Sequence, residues 1–134
     1  TITGATTLNK DTHANTVVVL DSATARIITL PASTGKGDWY EIFVATTVSG
    51  GNHVIACSTG TTNSFLGGVS ISTDIGGVTF LANAADDTVT MNGSTTGGLA
   101  GSWVRFTDVI SGTWKVEGFL VSTGGEADPF SAAV

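Results

Sequence analysis

Charged residues are scarce in this sequence, and basic residues are the scarcest. Charged side chains make up 12% of the 134 residues, about half of the usual share of roughly 25% in soluble domains. The net charge is −6. Because proteins bind nucleic acids through clustered Lys and Arg, the scattered bases predict no nucleic-acid partner. The five basic residues are Lys10, Arg26, Lys36, Arg105 and Lys115.

Cysteine and long apolar runs are also nearly absent. Cys57 is the single cysteine, so no disulfide can form within the chain, which is consistent with assembly in a reducing compartment. No apolar run approaches the ~20 residues that a membrane-spanning helix needs, so we expect no membrane partner. The first residues, Thr1–Gly4, lack the basic start and the apolar stretch of a secretory signal.

Glycine and β-branched residues are abundant instead. The sequence has 18 glycines, 2 prolines and 41% hydrophobic residues, and threonine recurs throughout. Glycine and β-branched residues form helices poorly, and this composition favours short strands joined by tight turns. The turn signals recur every ~8–12 residues, which is typical of a sandwich. We therefore predict an all-β protein, a single jelly-roll-like β-sandwich of roughly eight to ten strands with extended terminal arms.

The sandwich domain is predicted over residues 16–121. Residues 1–15 are interpreted as an N-terminal arm or a first edge strand, and residues 122–134 as an extended C-terminal arm. Val17–Leu20 and Arg26–Leu30 are predicted to pair as a hairpin across a polar turn.

Two further patterns predict strand faces and turns. In the strand from Trp39 to Ala45, alternation puts Tyr40, Ile42 and Val44 on one face. Gly67–Gly68 is interpreted as a break between strands, and Asn92–Gly93 as a tight hairpin turn.

The clearest predicted element is a hairpin over residues 102–121, folded about Ser111–Gly112. A two-residue turn there places Val109 opposite Trp114, on an apolar face that includes Trp103 and points to the core. The reverse face carries two phenylalanines among charged residues, so we expect a loop or another subunit to cover it. The C-terminal arm also ends in apolar residues that need a docking site. The predicted interface residues are Val104, Phe106, Phe119, Phe130 and Val134.

No group of residues predicts an active site. His53 and Cys57 share a strand but lie roughly 13 Å apart at ~3.3 Å per residue, so we expect a histidine at a turn edge and a buried thiol. Asp86–Asp87 is interpreted as a solvated turn rather than a calcium site, which needs about six to eight oxygens. Glu41 and Glu117 lie near aromatic residues without forming a recognisable carboxylate pair. The chain is predicted to be no enzyme and to use no metal or cofactor.

The order of several motifs resembles a known family. Val17–Ala25 runs into Thr29–Ala32, and Gly101–Trp103, Gly112–Gly118 and Pro129–Ser131 follow. This order is similar to a β-rich module of tailed-bacteriophage structural proteins, including capsid decoration (cement) proteins and head or tail fibres. The resemblance implies a jelly-roll-like subunit that is usually trimeric and has no catalytic residues.

The expected function follows from this resemblance and from the size of the chain. A fibre would need heptads or an internal repeat, and the sequence has neither. We expect a homotrimeric decoration protein that binds the outer surface of the phage head and bridges subunits of the major capsid protein. Its location would be the virion surface, after assembly in the cytoplasm of the host bacterium. The alternative is a receptor- or carbohydrate-binding knob, with Trp39 and Tyr40 as its candidate aromatic residues.

Overall fold

The computed structural model describes all 134 residues and contains eleven strands and one short helix. This confirms the all-β class. The elements are β1 (Thr6–Thr7), α1 (Lys10–His13), β2 (Thr16–Leu20), β3 (Ile27–Thr29), β4 (Trp39–Val44), β5 (His53–Ala56), β6 (Ser64–Thr73), β7 (Gly76–Leu81), β8 (Thr88–Met91), β9 (Trp103–Ile110), β10 (Thr113–Val121) and β11 (Phe130–Ser131).

The strands form two sheets that enclose one core, as predicted for a β-sandwich. One sheet has five strands in the order β1-β3-β5-β8-β11, and the other has six in the order β2-β4-β9-β10-β6-β7. A single cluster of 22 buried hydrophobic residues draws side chains from both sheets. Burial of this apolar surface is the main source of stability for the fold.

The strand pairing departs from the antiparallel pattern of a jelly roll. Four of the nine strand pairs are parallel: β1–β3, β3–β5, β2–β4 and β6–β10. For the three pairs among β1 to β5, the cause is that the chain crosses from one sheet to the other at every step from β1 to β5. Neighbours within a sheet therefore come from alternate crossings and run in the same direction. The predicted hairpin of β2 with β3 is wrong for the same reason, because these strands lie in different sheets.

Alternation in β4 is confirmed. Tyr40, Ile42 and Val44 are buried, whereas the residues between them are partly exposed. Since successive side chains of a strand point to opposite faces, β4 presents an apolar surface to the core and leaves Trp39 and Phe43 on the other side.

The hairpin of β9 and β10 has the predicted turn but a different register. Thr113 pairs with Ile110 across Ser111–Gly112, whereas Trp114 pairs with Asp108. Val109 is therefore an extra residue in β9, which is a β-bulge. A shift of one residue exchanges the two faces of a strand.

This bulge corrects the predicted faces of β9. Val104 and Phe106 are completely buried in the core, and Trp103 lies on the outer side of the sheet with Arg105. The expectation that Val104 and Phe106 belong to a covered outer face was wrong. On β10, Trp114 points to the core as predicted.

The terminal segments are edge strands of the five-stranded sheet rather than extended arms. At the N-terminus, β1 pairs with β3, and both Ile2 and Leu8 are buried. At the C-terminus, β11 pairs with β8, and the Phe130 ring packs 6.4 Å from the ring of Phe65. Residues 1–15 thus include a short edge strand, and residues 122–134 include the docked strand β11.

Candidate functional site

The five predicted interface residues occupy three different environments. Val104 and Phe106 are in the core, and Phe130 is only 8% exposed because its ring packs into the core beside Phe65. Phe119 is 39% exposed and Val134 is 50% exposed. The structure therefore leaves Phe119 and Val134 available to a partner, and it does not bring them together on one strand.

Phe119 belongs to a row of apolar side chains on the side of the six-stranded sheet that faces away from the core, here called the outer face. The strand register sets Val19 beside Phe43, Phe43 beside Trp103, and Trp103 beside Phe119. These four residues, here called the apolar row, cross four adjacent strands. All four are partly or largely exposed, and none belongs to the core cluster.

A row of charged residues runs beside the apolar row. The Arg105 guanidinium donates from Nε and Nη2 to one carboxylate oxygen of Glu41, at 3.0 and 2.7 Å, and lies 4.4 Å above the Trp39 ring. On the neighbouring strand, Lys115 and Glu117 form a second ion pair. Stacking and charge-assisted hydrogen bonds hold the arginine in one orientation, so little side-chain entropy is lost when a partner covers it.

The outer face also has strongly exposed aliphatic residues near its edge. Leu66 on β6 is 62% exposed and Leu81 on β7 is 69% exposed. Leu66 pairs with Lys115 and Leu81 pairs with Gly68, which places both leucines on the side of the apolar row. The two leucines therefore lie beside the charged row, whereas Ser70 and Thr79 stand in register with Phe119 on β6 and β7.

Asp108 accepts more hydrogen bonds than any other carboxylate of the chain, and its role was not predicted from the sequence. It accepts hydrogen bonds from the hydroxyl of Ser33, from the N–H and hydroxyl of Thr34, and from the N–H of Gly35, at 2.6–3.0 Å. Burial alone would raise the pKa of Asp108, but these hydrogen bonds outweigh it and lower the pKa. The one available signal was the donor-rich Ser33–Gly35 loop, which needs an acceptor.

Three concave regions lie on the surface, one of them minor. The larger of the other two, of about 860 Å³, is an open groove between the β6–β7 turn and residues 121–126. The smaller, of about 220 Å³ and here called the end cavity, lies where residues 31–38 meet Tyr40, Asp108 and Trp114. Buried aromatic side chains, Tyr40 and Trp114, line only the end cavity.

The residues considered for chemistry are engaged in the structure of the fold. His53 is fully buried rather than at a turn edge, and its Nδ1 accepts a hydrogen bond from the N–H of Arg26 at 3.1 Å. Burial, with a smaller contribution from the charge of Arg26, lowers the pKa of His53. Cys57 is buried as predicted, and burial with the nearby charge of Asp87 raises its pKa to about 12.

Asp86 and Asp87 are each only 7% exposed, so the expected solvated turn is wrong. Asp86 accepts a hydrogen bond from the N–H of Asn83 at 2.7 Å, and Asp87 accepts one from Ala133 at 2.9 Å. The pair thus fixes the chain near β8 and β11. No three His, Cys, Asp or Glu side chains lie close enough together to hold a metal ion, and no helix has the length and apolar character to cross a membrane.

Comparisons of the chain with protein-family models, with curated proteins and with solved structures find no match.

Proposed function

We propose that this chain is a structural protein of a phage particle that decorates the capsid. It binds the outer surface of the head as a homotrimer and bridges subunits of the major capsid protein. The observation that carries this proposal is the apolar row, Val19, Phe43, Trp103 and Phe119, on the outer face. Contiguous exposed apolar surface of this kind marks interaction sites in folded proteins.

The side chains beside the row favour a protein partner. Tryptophan and arginine dominate the energetic centres of protein interfaces, where they are packed and desolvated. Here Arg105 is already held against Trp39 and Glu41. A partner that covers these groups meets a rigid surface and no unpaired charge.

The charge distribution favours contact between copies of this chain at the outer face. The four charged residues on this face are two acids, Glu41 and Glu117, and two bases, Arg105 and Lys115, so its net charge is zero. The whole chain has a charge of −6. Two copies therefore repel each other least when their outer faces meet, since the excess negative charge is then elsewhere.

Trimeric attachment accounts for the proposed effect on the capsid. Three linked copies bind several capsid subunits at once, and each contact can then be weak while the whole remains firmly attached. Because the trimer binds the assembled shell and not the free subunits, binding stabilises the shell by mass action. Negative charge away from the outer face is available for basic capsid surfaces.

The first test is the oligomeric state of the chain with and without the apolar row. We expect the wild-type protein to sediment at about three times its 13.5 kDa monomer mass. The double variant Trp103→Ser, Phe119→Ser should sediment as a monomer with unchanged circular dichroism. Ile110→Ser is the matched control, since Ile110 is 62% exposed but lies beyond the row. A wild-type monomer at all concentrations, or a trimeric double variant, would refute the role of this face.

The second test is binding to capsids. Purified protein is mixed with empty heads that lack it, the heads are sedimented, and bound protein is counted against the major capsid protein. We expect a fixed, saturable ratio and a higher temperature of head disruption. If the purified protein does not sediment with heads of the phage that carries it, the proposal is contradicted.

The carbohydrate-binding alternative loses its expected platform. Trp39 and Tyr40 lie on opposite faces of β4, and Tyr40 is only 2% exposed. The two rings cannot form one sugar-stacking surface.

A further inference from the structure

The edges of the two sheets differ in how far their backbone groups are covered. In the five-stranded sheet, the edge strands β1 and β11 have two residues each. In the six-stranded sheet, the N-terminal segment covers the edge strand β2, where the N–H of Ile2 donates to the carbonyl of Val19 at 3.0 Å. The other edge is β7, which has six residues, all but one of them exposed. β7 is therefore the long edge that the chain itself leaves open.

β7 also lacks the features that keep edge strands from pairing with other chains. Native proteins protect such edges with charged residues, prolines or bulges. The segment Gly76–Leu81 has no charged residue and no proline, and its register with β6 is regular throughout. Val78 is 47% exposed and Leu81 is 69% exposed, so the strand offers apolar side chains beside its open backbone.

The pairing of β7 with β6 shows which backbone groups are free. The N–H of Ala82 donates to the carbonyl of Gly67 at 2.9 Å, which marks a hydrogen-bonded pair at the end of this ladder. In an antiparallel ladder, such pairs alternate with pairs whose groups point away from the neighbouring strand. The N–H and C=O groups of Gly77, Thr79 and Leu81 therefore point outward, and no backbone hydrogen bond outside the strand ladders involves them.

We propose that β7 pairs with β7 of a second copy of this chain, antiparallel and centred on Thr79. The residues with free groups are spaced symmetrically about Thr79. A two-fold axis there sets Gly77 opposite Leu81 of the second copy and Thr79 opposite Thr79 of the second copy. Each such pair exchanges two hydrogen bonds, so the free groups of these residues are all satisfied. The same strand serves both copies, as a two-fold interface requires.

The side chains on both faces of the joined sheet fit this register. On the outer face, the exposed Leu81 lies beside Gly77 of the second copy, which has no side chain to obstruct it. Val78 and Phe80 face the core side, since their partners on β6 are buried. The register sets each beside the other across the new contact, and aromatic and β-branched residues pair favourably there. Although the chain has a charge of −6, the uncharged β7 brings no like charges into register.

The inference goes beyond the proposed function, because it needs neither a trimer nor a capsid. On the sheet, β6 separates β7 from the apolar row. One pair of edge strands is a small contact beside the ~1,200–2,000 Å² of stable interfaces, so we expect a dissociation constant of about 0.1–1 mM. The contact is then absent at the micromolar concentrations of the sedimentation test. It becomes effective where copies are held close together on a surface.

The test is amide hydrogen exchange of the wild-type full chain, followed residue by residue by NMR at about 0.05 and 1 mM protein. We expect the amides of Gly77, Thr79 and Leu81 to exchange roughly two- to threefold more slowly at the higher concentration, as the paired fraction rises. The amides of Val78 and Phe80 point towards β6 and should be slow at both concentrations.

A charge variant connects this protection to the proposed two-fold axis. Thr79→Lys places two like charges beside each other on the axis, which is unfavourable for directly opposed residues, so the dependence on concentration should disappear. Thr62→Lys is the matched control, because it adds the same charge at an exposed loop residue away from β7, and it should behave as the wild type does. Folding of both variants is checked from the rest of the spectrum.

A disulfide crosslink tests the register. Residues that share a hydrogen-bonded pair have Cα atoms about 5.5 Å apart, which a disulfide can span. Thr79→Cys should therefore form a covalent dimer under mild oxidation, and the native Cys57 is buried and should not contribute. Asp74→Cys is the matched control on the exposed β6–β7 turn. The proposed axis separates its two copies by roughly 30 Å at ~3.4 Å per residue, so it should stay monomeric in covalent terms.

Three results would overturn the proposal. The first is fast exchange of Gly77, Thr79 and Leu81 at both concentrations. The second is protection that persists in Thr79→Lys, and the third is equal crosslinking of the Thr79→Cys and Asp74→Cys variants. A wild-type chain that shows the protection but never forms a trimer supports the pairing of β7 and contradicts only the role of the outer face.

Discussion

Replacing Asp108 by asparagine should destabilise this protein strongly. The Asp108 carboxylate receives hydrogen bonds from Ser33, Thr34 and Gly35, which lie more than 70 residues away in the chain. An amide keeps one acceptor oxygen and replaces the other by a donor, which would face the N–H and O–H groups of the loop.

The magnitude follows from the number of bonds lost. Asparagine keeps one acceptor oxygen, so the hydrogen bonds to the other oxygen are lost. The hydrogen bonds that remain are weaker because their acceptor is no longer charged. Hydrogen bonds to charged groups contribute ~1.5–3 kcal/mol each, and a buried donor without a partner costs ~1–3 kcal/mol. We expect Asp108→Asn to lower the free energy of unfolding by about 2–4 kcal/mol.

The pH dependence gives this prediction a second measurement. The pKa of Asp108 is lowered in the folded state, so its ionised form stabilises the protein above the unfolded pKa of about 3.9. That contribution is lost as the pH falls through the lowered, folded-state pKa. The stability difference between wild type and Asp108→Asn should therefore be constant near neutrality and shrink below about pH 4.

Urea denaturation followed by tryptophan fluorescence measures both effects. Asp74→Asn is the control, because Asp74 is exposed at the β6–β7 turn, and its midpoint should match the wild type. A stability loss below about 0.5 kcal/mol for Asp108→Asn, the size of ordinary surface substitutions, would refute the assignment of the loop to this carboxylate.

Three further predictions concern buried and crowded positions. Burial lowers the pKa of His53, so the free energy of unfolding should fall as the pH drops below about 6.5. Urea midpoints between pH 5 and 7.5 measure this dependence, which should weaken in His53→Gln and persist in the control His13→Gln. Gly67 has φ +122°, and a Cβ there would overlap a backbone carbonyl of β10. Gly67→Ala should therefore lower the free energy of unfolding by at least ~2 kcal/mol. Gly4 has open space around it, so the control Gly4→Ala should leave the denaturation midpoint unchanged. Burial, with the charge of Asp87, raises the pKa of the Cys57 thiol to about 12, so a thiol-specific disulfide reagent at pH 8 should label the unfolded chain only; rapid labelling of the native protein would contradict the burial.

Local patterns were sufficient for the strands and their faces where the backbone is regular. In β4, alternation alone predicts that Tyr40, Ile42 and Val44 are buried, since the side-chain period of a strand is a local property. The burial of Cys57 and the turn at Ser111–Gly112 were predictable on similar grounds. The all-β class itself follows from the abundance of glycine and β-branched residues.

The β9–β10 register could not be predicted from the hairpin alone. A bulge at Val109 costs little locally, and its benefit is remote: it turns Asp108 inward, where Thr34 and its neighbours donate to it. The same shift turns Trp103 outward and so creates the apolar row. The composition of the outer face thus depends on a contact between residues 74 positions apart.

The sequence by itself determined that this chain forms short strands, where most of them lie, and that they enclose one apolar core. Only the tertiary structure decided which strands are neighbours, that Gly67–Gly68 runs through β6 against β10 rather than turning, and which side chains meet at the outer face and the end cavity. The physical reason is the distance along the chain over which each interaction acts. Steric preferences and side-chain period act between adjacent residues, whereas pairing, bulges and buried hydrogen bonds are selected by the free energy of the whole packed sandwich.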